Sequence, residues 1–107
     1  MIYDSEKKVF KFFDTKVKSL LLTLKEQTEG LSGLVNALDI NQNTFVYIKG
    51  RNLLIHDLLN PQSKPKTIQR DSLLRTLALN PNSSIIALAD DFGKIYLVHN
   101  NLKSTIV

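Results

Sequence analysis

The chain has 107 residues, 43% of them hydrophobic and 22% charged, with 14 Lys and Arg against 10 Asp and Glu, a net charge of +4. That length holds one small domain at most, and the balance is that of a folded, soluble protein, which excludes wholesale disorder. Without cysteine there is neither a disulfide nor a zinc–thiolate site, which fits a reducing compartment.

Apolar runs such as Leu20–Leu22 fall far short of the roughly 20 residues that span a bilayer. Met1-Ile-Tyr-Asp-Ser-Glu-Lys-Lys8 has no apolar core of a secretory signal. Lys7, Lys8, Lys11, Lys16, Lys18 and Lys25 crowd the first 25 residues, interleaved with Asp4, Glu6, Asp14 and Glu26. Such lysines solvate exposed strand faces and edges, and a basic excess also favours polyanionic neighbours.

In chain order, Val9–Asp14 and Val17–Leu24 are the first expected strands. Val17, Leu20, Leu21 and Leu24 also stand at helical spacing behind Asp14 as a possible N-cap, so an amphipathic helix is the rival there. Leu34–Ile40, Phe45–Ile48, Leu53–Leu58 and Lys66–Gln69 follow as four strands. Asn60-Pro-Gln-Ser-Lys-Pro65 is a loop, because two prolines and a serine cannot sustain a ladder. Leu73–Leu79, Ile85–Ala89, Lys94–His99 and Ser104–Val107 complete the series.

These segments repeat. Phe10–Asp14, Leu53–Asp57 and Ile95–His99 each alternate apolar residues and end on a polar one. Asp14 to Asp57 is 43 positions and Asp57 to His99 is 42, the spacing of a four-stranded propeller blade. Leu38–Thr44 corresponds to Leu77–Ser83, each stopping at an Asn-x-Asn turn. A glycine-bearing turn, Lys49–Asn52 in one copy and Asp90–Lys94 in the other, then leads into the anchor strand and makes a hairpin. The expected fold is all-β: a partial β-propeller of about two and a half four-stranded antiparallel blades. Residues 1–28 end one blade, 34–70 form the next and 73–107 the one after. The rival is a compact α+β domain.

Lys8–Leu22 resembles the end of a WD repeat, with Phe13-Asp14 standing where that family has Trp-Asp. His56-Asp57 matches less well and Val98-His99 less again. Leu77–Ile95 resembles the run from the inner strand, through Asn-Pro, to the Asp-x-Gly hairpin. Gly-His pairs and tryptophan are missing, so the Asp–His–Ser–Trp network of typical WD blades cannot be assembled. The irregular blade with Lys49-Gly-Arg-Asn52, followed by the tidier one ending in Phe92-Gly-Lys-Ile95, is similar to the propellers of nucleolar pre-ribosome assembly factors.

That resemblance implies a non-enzymatic WD-repeat scaffold in the nucleolus, serving ribosome biogenesis and rRNA processing within the small-subunit processome. Its partners would be other protein subunits of a large ribonucleoprotein complex, and structured RNA. Neither a membrane, nor a small-molecule substrate, nor any cofactor is expected. The alternative is a peptide-binding WD-repeat adaptor in cytoplasmic trafficking or signalling. Around the Asn60–Pro65 loop, Lys64, Lys66 and Arg70 are the candidate polyanion-facing residues.

Catalytic chemistry finds little support. Asp91-Phe92-Gly93 spells a kinase magnesium triplet, but the glycine-rich loop and the catalytic loop are missing, and a hairpin turn suffices to explain it. His56 and His99 lie at equivalent ends of two repeats, and a metal needs further ligands. Asp90 and Asp91 are adjacent, and neighbouring strand side chains face opposite ways. Phe10, Phe12 and Phe13 beside Lys8 and Lys11 suit core packing better than base stacking.

Overall fold

A computed structural model describes residues 2–4, 6–14, 19–25, 35–41, 43–83, 85–99 and 104–106. The protein is all-β, and among the described residues the strands form three separate antiparallel sheets. The first contains β1 (Ile2–Asp4), β2 (Val9–Asp14) and β3 (Ser19–Lys25) in that order. The second is a meander of β4 (Val35–Ile40), β5 (Thr44–Lys49), β6 (Asn52–Asp57) and β7 (Lys66–Gln69). The third repeats that meander with β8 (Leu74–Leu79), β9 (Ile86–Asp90), β10 (Ile95–Val98) and β11 (Ser104–Ile106).

The expected strands fall on observed ones, with ends differing by a residue or two. Ser19–Lys25 is extended and pairs with β2, so the helical spacing in that segment is not used. Val17, Lys18, Leu34 and Val107, at the ends of expected strands, lie outside the described residues. One strand lies outside the expected set: β1 is three residues long and pairs with β2 through Tyr3↔Phe10. A tight turn joins them, in which the Asp4 carboxylate accepts from the Glu6 and Lys7 backbone N–H and Lys8 takes φ 55°.

Alternation explains how the sheets stack. Along β5, Phe45 and Tyr47 face the first sheet whereas Val46 and Ile48 face the third, and all four are fully buried. The second sheet is therefore apolar on both faces, which is why β5 reads as a continuous hydrophobic run rather than an alternating one. Phe10, Phe12, Leu24, Phe45, Tyr47 and Leu54 fill the first seam. Its rings interlock edge-on, Phe10–Phe45 at 4.8 Å and Phe12–Phe45 at 5.1 Å between centroids. Truncating Phe45 to alanine would cost about 3–5 kcal/mol. The second seam is aliphatic: Val46, Ile48 and Leu53 meet Leu79, Ile86, Leu88 and Val98, with Tyr96 at one end.

The repeat extends to irregularities. β4 has a bulge between Val35 and Ala37, and β8 one between Leu74 and Thr76, 39 positions on. Gly50 and Gly93 hold equivalent hairpins in the left-handed region, at φ 63° and 81°. Asn41 and Asn80 nucleate equivalent turns. Asn41 Oδ1 accepts from the Asn43 and Thr44 N–H, and Asn80 Oδ1 from the Asn82 N–H.

Candidate interaction surface at the second seam

Two side chains of β4, Asn36 and Asp39, and that of Asn41 just after it reach across the seam to the backbone of β8 and its turn. The Asn36 carboxamide donates to the carbonyls of Leu74 at 3.1 Å and Arg75 at 3.0 Å. Asp39 Oδ2 accepts from the Leu79 N–H at 2.9 Å. Asn41 Nδ2 donates to Asn80 O and Ser83 O, both at 3.0 Å. β4 and β8 are not hydrogen-bonded as ladder neighbours, so these contacts hold two sheets at a fixed offset as backbone pairing would within one.

At the end of the seam that carries the hairpin turns, a groove of about 550 Å³ opens between the sheets, lined by Val35, Asn36, Gly50, Leu73, Leu74, Arg75 and Asp91. Backbone bonds build its wall: the Leu74 N–H donates to Gly50 O and the Asp91 N–H to Leu73 O, each at 3.0 Å. Arg75 and Asp91 form an ion pair on the rim. Beside it the tip of the β9–β10 hairpin leaves Phe92 82% exposed, and Leu73 is 51% exposed. An apolar floor, a charged rim and two exposed apolar side chains suit a polypeptide partner.

Behind the rim sits a polar node. The buried Asp90 accepts from Ser72 Oγ at 2.8 Å, from the Lys94 N–H at 2.9 Å and from the Phe92 N–H at 3.0 Å, with Tyr96 Oη at 3.4 Å. Burial pushes the Asp90 carboxyl up, but the bonds from Ser72, Lys94, Phe92 and Tyr96 outweigh it and hold the acid below its ordinary value. The sequence argues against a His- and Trp-based brace. It does not reveal this smaller one, because Ser72 and Tyr96 are unremarkable residue types.

Asp91-Phe92-Gly93 is the turn of the β9–β10 hairpin, with the Gly93 N–H donating to Asp90 O. Asp90 is buried in its node and Asp91 pairs with Arg75, so the two carboxylates do not converge. The histidines part company: His99 is exposed, whereas His56 is 5% exposed beside Phe45 and Tyr47, its ring centroid 5.8 and 5.6 Å from theirs. His56 Nε2 is buried without a hydrogen-bond partner, and burial lowers the imidazole pKa to about 4. Among the described residues no group of three or more His, Asp or Glu could hold a metal ion. Phe10 and Phe12 are core residues; the Phe13 side chain lies outside the described ones.

The residues singled out as polyanion-facing separate. Lys64, in the β6–β7 loop, and Lys66, the first residue of the edge strand β7, are exposed. Arg70 is half-buried, its guanidinium carbon 4.1 Å from the centre of the Tyr96 ring, which ties the second sheet to the third. No protein-family model matches the chain, and a search of curated proteins returns no match.

Proposed function

We propose that the chain is a stretch of β-propeller serving as a non-enzymatic scaffold for contacts within a large assembly. The observation that carries this reading is the seam itself. Two meanders of the same register, bulge for bulge, lie face to face at a 39-residue offset and are pinned through Asn36, Asp39 and Asn41. Stacked four-stranded sheets with buried flanks are how propeller blades protect their apolar faces. Such a module works through its loops, edges and open faces.

The assembly we favour is a nucleolar ribonucleoprotein acting in ribosome biogenesis, the small-subunit processome. The net charge of +4, and the exposed Lys64 and Lys66 beside the edge strand β7, support an RNA-facing side. Filter binding to a structured RNA over a salt series tests it. Binding that weakens steeply with salt supports the reading, and no binding at low salt removes it.

A second reading, a peptide-binding adaptor in the cytoplasm, is favoured by the groove at the seam with Leu73 and Phe92 exposed on its border. Phe92→Ala separates the two, since it weakens capture of peptides and leaves RNA binding intact.

A further inference from the structure

We propose that the groove at the hairpin end of the second seam docks an acidic peptide segment of another protein, one bulky apolar side chain of which sits on the groove floor. The inference rests on the peptide-binding reading of that groove and names the chemistry of its ligand.

The floor sets the anchor. Val35, Leu73 and Leu74 line it, and its volume of about 550 Å³ falls in the roughly 300–1,000 Å³ range of ligand pockets. An apolar side chain seated there covers Leu73 and meets Phe92 at the border, the two large hydrophobic residues that this end exposes. Both amide hydrogens of Asn36 go to the Leu74 and Arg75 carbonyls, so its Oδ1 remains as an acceptor suited to a peptide N–H.

Charge selects the flanks of the peptide. Arg51 follows Gly50 in the β5–β6 turn, and its carbonyl accepts from the Arg70 N–H. Lys94 closes the β9–β10 turn two residues after Phe92, and both cations are exposed. The carboxylates nearby are largely committed: Asp91 pairs with Arg75, and Asp90 is drawn into its buried node by Ser72 and the Phe92 and Lys94 N–H. In these turns that leaves Arg51 and Lys94 to face a ligand, with Asp71 as the one exposed acid outside a bonded pair.

At the other end of the seam the turns at 41–44 and 80–83 contain no charged residue. The positive charge of the seam is therefore gathered where the groove opens. Carboxylates on either side of the anchor meet it, which steers the encounter and fixes orientation more than it adds affinity. A single-stranded nucleic acid suits the groove less, because bases stack on aromatic faces and this floor is aliphatic.

Fluorescence anisotropy of the 107-residue chain with labelled peptide pools tests the proposal. Both pools fix a central leucine; the flanks of one are drawn from Asp, Glu, Gly and Ser, those of the other from Asn, Gln, Gly and Ser. The acidic pool should bind about fivefold more tightly at low salt, the size that a few exposed ion pairs supply, and the difference should fade as salt rises. Arg51→Ser combined with Lys94→Ser should bring the acidic pool to the level of the uncharged one, with an unchanged far-ultraviolet spectrum. Lys64→Ser combined with Lys66→Ser should leave the preference intact. Equal binding of the two pools, or loss of the preference in the Lys64 and Lys66 variant, overturns the acidic ligand while leaving a peptide groove that Phe92→Ala weakens. Binding that survives alanine in place of the central leucine overturns the anchor. Failure of both pools to bind removes the peptide reading as well. Displacement of the acidic pool by oligouridylate assigns the groove to RNA and overturns the proposal.

Discussion

The Asn36 side chain donates to the backbone carbonyl of Arg75, and both residues are the bulged positions of their strands, 39 apart in sequence. A bulge leaves its extra residue out of the ladder and re-aims its groups. Here the bulge of β8 presents a carbonyl outward, and the bulge of β4 supplies the amide that meets it. Asn36→Ala removes this bond and its companion to Leu74 O. The expected loss is about 1–2 kcal/mol in urea unfolding, with little change in slope. Asn36→Asp should lose more, because a carboxylate facing two carbonyls repels them and has no proton to give.

Much of this architecture is legible in the sequence, for a physical reason. Spacing of about 42 residues, Asn-x-Asn turns and glycine hairpins are backbone requirements, and they fix where strands end. What is not legible is how one sheet addresses the next. In the sequence Asn36 and Asp39 are the polar positions of a strand and Asn41 belongs to a turn, yet each spans the seam. Arg70 looks like a surface cation and lies over Tyr96. β1 stands before its anchor strand as β5 and β9 do, but three residues are too few for an alternation to show. The groove is legible only through Phe92, whose exposure at a hairpin tip follows from the Asp-x-Gly turn.

His56 makes the fold acid-sensitive. Its pKa is about 4 in the folded chain, below the 6.5 of the free side chain, because burial penalises the charged form. As pH falls below 6.5 the unfolded chain takes up a proton that the folded one refuses, so stability is lost down to pH 4 and levels off beneath it. The span corresponds to about 3 kcal/mol. His56→Phe should flatten this region of the stability–pH curve, since a phenyl ring fits between Phe45 and Tyr47 without an unpartnered nitrogen. Urea midpoints at successive pH values check it, and an unaltered slope in the variant would refute the assignment.

Asp90 acts at lower pH. Its folded pKa is held below the ordinary carboxylate value, so its contribution is complete above that value and disappears as pH falls through the folded one. Ser72→Ala should raise the Asp90 pKa, seen by carboxyl-carbon NMR titration, and shift the onset of acid unfolding to higher pH.

Gly93 tests the hairpin that carries Phe92. At φ 81° a side chain is strained, yet a Cβ there meets nothing within 4 Å. Gly93→Ala should therefore cost about 1–2 kcal/mol from backbone conformation alone. Gly93→Asn should cost less, because asparagine tolerates left-handed angles. Equal losses for both would point to a steric clash instead.

The basic residues near β7 provide the sharpest division of labour. Lys64 and Lys66 are exposed, so in an RNA-binding scaffold each neutralises phosphate and releases a counterion. Replacing both with alanine should lower the slope of log affinity against log salt by about 1.5, with thermal stability unchanged. Arg70→Ala should do the reverse. It removes a guanidinium that lies 4.1 Å from the Tyr96 ring centre, so stability falls by about 1 kcal/mol while the salt slope is preserved. If the Arg70 variant instead flattens the salt dependence, its charge faces the polyanion as well as the ring, and the side of β7 that meets RNA must extend to the seam.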